Sequence, residues 1–149
     1  MKRKPIKAIT IRETGIARSI ISAVEVKDFF SKTSCDTCGI WDSGATNSVI
    51  TKSTAQLLGL PSIGQTRVRG VHGVRVVNVY YVQIRLKGTD IVFATNVTEC
   101  DELSNDKSIG MLLGMNIITK GDFSITNYRG KTTMSFRVPS QHRIDYLKA

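Results

Sequence analysis

The sequence predicts an all-β domain, a barrel or a sandwich, and three observations carry that expectation. Period-two alternation recurs in Val24-Glu25-Val26-Lys27 and in Val82-Gln83-Ile84-Arg85-Leu86, the pattern of strands with one buried face. Periodicity of helical length is scarce. Turn residues at Gly59-Leu60-Pro61, Gly70, Gly73, Lys87-Gly88 and 127–130 cut the chain into short elements.

With 149 residues, 41% of them hydrophobic and 22% charged, the chain is long enough to bury one core. Twelve Gly against three Pro exclude a collagen-like or proline-rich chain, and the apolar content is enough to offset chain entropy. No apolar run approaches the roughly 20 residues that cross a bilayer, because Arg18, Glu25 and Arg75 interrupt the longest ones. The basic start leads into no apolar stretch of the kind a secretory signal needs, so a cytoplasmic location without membrane contact is expected. Cys35, Cys38 and Cys100 are too few for a disulfide scaffold, and their odd number fits reduced thiols. The 21 Lys and Arg against 12 Asp and Glu leave a net charge of +9, which favours anionic partners such as nucleic acid or acidic polypeptide.

Taken in chain order, residues 1–13 form a basic N-terminal arm in which Lys2, Arg3, Lys4, Lys7 and Arg12 meet only Glu13. It reads as a mobile or edge segment, either a tether for an anionic partner or a solvated terminus. Residues 14–139 are the domain proper. Within it, residues 51–58 combine a capping Thr51, helix formers and the terminator Gly59, which predicts one or two helical turns. Residues 74–81 are rich in Val and Tyr but slip phase at Val76-Val77 and Tyr80-Tyr81, which predicts a bulge or a strand covered on both faces. Residues 110–118 read as an apolar strand interrupted by Gly114, where close backbone approach is expected. Beyond Pro139 the tail, residues 140–149, is a disordered segment or a helix docking on a neighbour, with disorder the favoured reading.

The sharpest chemical feature is Ile40-Trp41-Asp42-Ser43-Gly44-Ala45, an acid between an apolar strand end and a small turn. Apolar surroundings disfavour an ionised carboxylate unless a partner or hydrogen bond compensates, so Asp42 is the first catalytic candidate. Gly44 permits a sharp turn and Ser43 offers a hydroxyl. The triplet alone also makes an ordinary Asx turn. Two further segments bear on it. Gly70-Val71-His72-Gly73 lies between the β-rich runs 65–69 and 74–86 and reads as a hairpin tip. Later comes Leu112-Leu113-Gly114, so the order is acid turn, glycine-tipped hairpin, apolar-apolar-Gly.

In these three segments the chain resembles the retropepsin-like aspartic proteases, the single-domain enzymes of retroviruses, retrotransposons and related cellular proteins. Asp42 to Ala45 matches the family's Asp-Ser/Thr-Gly-Ala signature, residues 68–76 its flap, and Leu112-Leu113-Gly114 its apolar-apolar-Gly element. The resemblance implies a small closed β-barrel with a short helix near its end, working as a homodimer on a peptide or protein substrate. It implies Asp42 from each chain as the catalytic pair, on a turn completed by Ser43, Gly44 and Ala45, with Ser43 locking the two turns together. The implied substrate contacts are Gly44, Asn47, the flap residues Gly70, Val71, His72 and Gly73, and Leu112 and Leu113. Neither metal nor cofactor is implied. The residue count agrees: one Asp-Ser/Thr-Gly triplet supplies one acid, proton-sharing carboxylate catalysis needs two, and a two-fold axis brings identical residues together. Where retroviral members pair an acid after the signature with an Arg after the apolar-apolar-Gly element, this chain has Thr46 and Met115, so both halves of the ion pair are missing together. Residues 8–11 and 134–138 alternate as edge strands would, and viral members interleave their chain ends.

Other candidates are weaker. Cys35 and Cys38 have zinc-knuckle spacing, but no second pair follows, and completing a site would need Cys100 with His72 or His142. His72 reads as an exposed turn residue or a substrate contact. Arg67, Arg69 and Arg75 read as a preference for acidic substrates or as a solvated ribbon. No Ser-His-Asp order supports acyl-enzyme chemistry at Thr46 or Ser48. The competing function classes are a catalytically silent barrel that dimerises or holds extended peptides and a nucleic-acid-associated protein, for which no sequence-reading motif is present.

Overall fold

The alternating and turn-punctuated segments become ten strands and two short helices in the computed structural model, which describes residues 2–148. In chain order these are β1 (Ala8–Arg12), β2 (Ile21–Asp28), β3 (Ser34–Trp41), β4 (Val49–Thr51), α1 (Lys52–Leu58), β5 (Gly64–Gly70) and β6 (Gly73–Leu86). They continue with β7 (Val92–Cys100), β8 (Ile109–Leu113), α2 (Met115–Ile118), β9 (Asp122–Thr126) and β10 (Thr133–Arg137). No helix among the described residues is long and apolar enough to cross a membrane.

Six strands close a barrel in the order β2-β3-β8-β4-β7-β6, completed by the antiparallel β2–β6 pairing that runs from Val24 opposite Leu86 to Asp28 opposite Val82. Closure leaves these six without a free edge. The alternation in the sequence is the inside-outside pattern of this barrel: Val24, Val26, Val82, Ile84 and Leu86 are fully buried, while Glu25, Lys27, Gln83 and Arg85 lie between them at half exposure. The expected all-β closed barrel is thus the observed architecture.

Phase slips in residues 74–81 have a different cause from the one expected. β6 is one uninterrupted 14-residue strand without a bulge in its pairing to β5 or β7. Its C-terminal part belongs to the barrel and its N-terminal part projects beyond it with β5 as a hairpin, so Val74 and Val76 are exposed rather than covered on both faces. α1 forms where expected: Thr51 caps it by accepting from the Thr54 amide at 3.3 Å, and Gly59 ends it at φ +61°. Residues 110–118 are corrected. The strand stops at Leu113, and Met115–Ile118 is a single helical turn.

The chain ends form a second, three-stranded antiparallel sheet in the order β1-β10-β9. Ile9 stands opposite Phe136 and Ile11 opposite Met134, and the buried Met134 and Phe136 join this sheet to the barrel core. Trp41 packs between Phe123 and Phe136, with ring centroids 5.2 and 5.0 Å away, and its indole N–H donates to the buried Ser22 hydroxyl at 2.7 Å. The side chain before Asp42 is therefore fixed on both its apolar and its polar side. Ahead of β1, Asp90 gathers the basic arm: Arg3 donates to both carboxylate oxygens at 2.9 Å, and the Ile6 amide donates at 2.7 Å.

Asp122, at the start of β9, accepts from Ser140 Oγ at 2.5 Å, the Gln141 amide at 2.8 Å, Arg137 Nε at 2.8 Å and the His142 amide at 3.3 Å. These donors, Ser140 foremost, hold its carboxyl far below the usual carboxylate range. A depressed folded value means the tether contributes fully above the unfolded value of about 3.9 and is lost as pH falls through the folded one. In an NMR titration the Gln141 and His142 amide shifts should hold steady through pH ~4 and move only in stronger acid. In Asp122→Asn they should be displaced already at neutral pH.

Candidate active site

Asp42 follows the last residue of β3, and its position is set by β8. That strand lies between β3, to which it is parallel, and β4, to which it is antiparallel, so residues 42–48 must pass over its C-terminal end. The Asp42 amide donates to Leu113 O at 2.9 Å, extending the β3–β8 ladder by one bond. Within the turn the Gly44 amide donates to Asp42 Oδ1 at 2.8 Å and the Ala45 amide to Asp42 O at 3.3 Å. The half-buried carboxylate is thus oriented by its own turn, in the Asx geometry that the triplet allows. Ser43 and Gly44 are exposed.

The crossing is tight at Gly114. A Cβ there would stand 2.5 Å from Asn47 O and 2.9 Å from Ala45 O, so only glycine fits without moving the turn. The turn's carbonyls also start α2: the Met115 amide donates to Ala45 O at 2.8 Å and the Asn116 amide to Thr46 O at 3.1 Å. Ser48, fully buried, accepts from the Gly114 amide at 3.0 Å and donates to Asn116 Oδ1 at 2.8 Å. Thr46 and Met115, which stand where viral members place an ion pair, are therefore part of this backbone lock.

Opposite the turn stands the β5–β6 hairpin. Gly70 pairs with Gly73, whose φ is +108°, a value that favours glycine, and Val71 at the tip is 99% exposed. Between hairpin and turn lies a cleft of about 630 Å³ lined by Gly44, Ala45, Asn47 and Gly70, together with Arg67, Arg69 and Arg75 and the end of β7 at Thr98, Glu99 and Cys100. The contribution of Glu99 and Cys100 was not foreseen, because it depends on the long-range parallel pairing of Ile50 with Glu99 and Thr51 with Cys100. Glu99 accepts from the Tyr80 hydroxyl. Burial, reinforced by that carboxylate, pushes the Tyr80 phenol up to about 12. Burial and the neighbouring acids, Asp101 first, push the Cys100 thiol up to about 11, so it stays protonated and poorly nucleophilic at neutral pH.

Not every expected contact reaches the cleft. Leu113 is fully buried in the core, packed so closely on Gly39 that a Cβ at Gly39 would lie 2.9 Å from its Cγ. Alternation along β8 turns it inward, and as a substrate contact it is corrected. Leu112, on the other face of the strand, is half-buried. Cys35 and Cys38 line a separate hollow beside α1, away from Cys100, and no group of three or more metal-ligating His, Cys, Asp or Glu occurs among the described residues.

The geometry agrees with comparisons to known proteins. A family model described as aspartyl protease matches residues 35–117, more than half of the chain, from within β3 to within α2. The crystal structure of a retropepsin-like aspartic protease from Rickettsia conorii has the same fold, with a TM-score of 0.51 at 16% identity over 93% of this chain and 99% of that one. The EIAV protease complexed with the inhibitor HBY-793 aligns at 21% identity over 68% and 86% of the two chains with a TM-score of 0.48. The simian foamy virus (mac) protease aligns at 19% over 66% and 91% with a TM-score of 0.46. A search of curated sequences finds no match. With the signature acid, the projecting hairpin and the apolar-apolar-Gly crossing all inside the matched segment or next to it, the chain belongs to the aspartyl protease family and has the retropepsin-like fold.

Proposed function

We propose that the chain is an aspartic endopeptidase that works as a homodimer, with Asp42 of two copies as its catalytic pair. The observation that carries this reading is a single Asp-Ser-Gly turn, locked by backbone bonds at the barrel's end beside a hairpin-covered cleft. The other carboxylate lining that cleft, Glu99, is engaged by Tyr80, and Asp101 beyond it is engaged by Arg75 at 2.8 Å. A second copy is the remaining source of a matching acid, and an isologous two-fold contact supplies it.

Two carboxylates about 3 Å apart cannot both ionise cheaply, so the pair holds one proton. The ionised member takes a proton from water as the water oxygen bonds to the peptide carbonyl carbon. The protonated member gives its proton to the carbonyl oxygen, yielding a tetrahedral diol. Collapse of the diol breaks the C–N bond: one diol hydroxyl gives its proton to the now ionised member while the other member protonates the departing nitrogen, so the pair ends with the one proton it began with. This chemistry proceeds without a covalent intermediate. In this reading Ser43 ties the two turns together across the axis. Gly44, Asn47 and Leu112 contact the substrate, and the flap residues Gly70, Val71, His72 and Gly73 close over it and exclude water.

The test compares the native chain with Asp42→Asn on a peptide library at acidic and neutral pH, with and without a statine-type inhibitor, alongside sedimentation equilibrium. The native chain should yield product, show a bell-shaped dependence on pH with both limbs set by the pair, and sediment as a dimer in inhibitor. The variant should give background product only. Equal product from both, or a chain that stays monomeric with inhibitor bound, rejects the assignment, and binding without cleavage by either protein indicates a silent peptide-holding module.

Ser48→Ala removes the acceptor of the buried Gly114 amide and should lower stability by about 1–3 kcal/mol in urea unfolding. Because the loosened turn carries Asp42, kcat should fall by a larger factor than KM rises.

A further inference from the structure

The cleft has two walls, and one side-chain bond joins them. On the flap side it is lined by Arg75 and Val77 of β6, opposite Val68 and Thr66 of β5, cross-strand partners that share a face. On the barrel side it is lined by Val49 and Thr98, themselves paired across β4 and β7, and by Glu99 and Cys100. The last β6–β7 pair is Val79 with Thr98, so Arg75 stands about 13 Å of extended chain past the point where that ladder stops. There Arg75 Nη1 donates at 2.8 Å to Oδ2 of Asp101, the residue that directly follows β7. Ser62, Gly64, Gln65 and Asn78 bond among themselves at the hairpin's base. Among the described residues, Arg75 with Asp101 is the one ion pair or side-chain hydrogen bond that ties residues 65–77 to anything outside the hairpin.

We infer that the Arg75–Asp101 pair is a strut between the two walls, which sets how far the flap stands from the barrel and makes both residues positioning residues for the substrate. The inference rests on the peptidase reading above and adds what holds its flap. A two-stranded ribbon that has left its sheet has little of its own to keep it in place. The flap's other cleft-facing side chains, Thr66, Val68 and Val77, carry no charge with which to reach the opposite wall. Both members of the pair are exposed, so their attraction is weak and screened by salt. That suits a part that must yield each time a peptide enters or leaves. The Asp42 turn is held by its own backbone bonds, so a loosened strut weakens the hold on substrate and spares the chemical step.

The experiment compares the native chain with Arg75→Gln, Asp101→Asn and the exchanged pair Arg75→Asp/Asp101→Arg. Cleavage of one library peptide is read as kcat and KM, and flap motion by NMR relaxation of the Gly70, Val71 and Gly73 amides in the full-length chain without substrate. Each single variant should raise KM about two- to fivefold with kcat nearly unchanged. Each should also lower the order of those three amides, while Val82 and Ile84 in the barrel keep theirs. The exchanged pair should recover most of both losses. Added salt should raise the native KM more steeply than that of Arg75→Gln. Single variants with native KM or native flap order, or an exchanged pair no better than the singles, overturn the inference. So does an Asp101→Asn variant that binds a Glu-containing peptide more tightly while Arg75→Gln binds it less, which would make Asp101 a competitor for a substrate-reading Arg75. Flap order that follows the pair in a chain that cleaves nothing rejects the peptidase reading and leaves the strut standing.

Discussion

The candidate site depends on how closely the backbone at Gly114 approaches the turn that carries Asp42. At that crossing a missing side chain lets the end of β8 pass beneath Ala45 and Asn47. The freed amides of Gly114, Met115 and Asn116 then find acceptors in Ser48, Ala45 and Thr46. One contact thus does three things at once: it ends a strand, starts a helix and fixes the path of the acid-bearing loop. Buried backbone donors must be matched somewhere, and here the matching is what gives the loop its shape.

This arrangement also bears on the ion pair that viral members place near the same point. A charged pair at a dimer-facing turn positions through attraction that depends on salt and on desolvation. Backbone bonds from Met115 and Asn116 need no particular side chain. The positions of the absent acid and base are therefore occupied by residues whose main chain carries the load, and the rigidity of the turn does not rest on charge.

Much of this was legible because it is local. The Asp42 turn, the glycine-tipped hairpin, the cap at Thr51 and the terminator at Gly59 each act within a few residues of themselves, so their chemistry can be read from neighbours. What escaped the sequence is non-local. Met115-Asn116-Ile117-Ile118 looks like strand, and it becomes a helical turn because Ala45 and Thr46, some 70 residues earlier, present carbonyls to its first amides. Residues 74–81 slipped phase because a period-two test assumes one environment, and β6 passes from a core to open solvent. Glu99 and Cys100 join the cleft only through a parallel pairing with β4, and Leu113 leaves it because β8 is central and turns that side chain inward.

The terminal sheet has a consequence for how such an enzyme would be controlled. β1 and β10 find each other within one chain, and Arg3 and Ile6 fasten the preceding segment to Asp90. Within one protomer, therefore, both end strands already have a pairing partner. If the second acid comes from a sibling, as proposed above, a lone protomer would be a finished half of a machine and mass action would be its throttle. On that proposal, whatever gathers copies into one place would turn hydrolysis on, and dilution would turn it off.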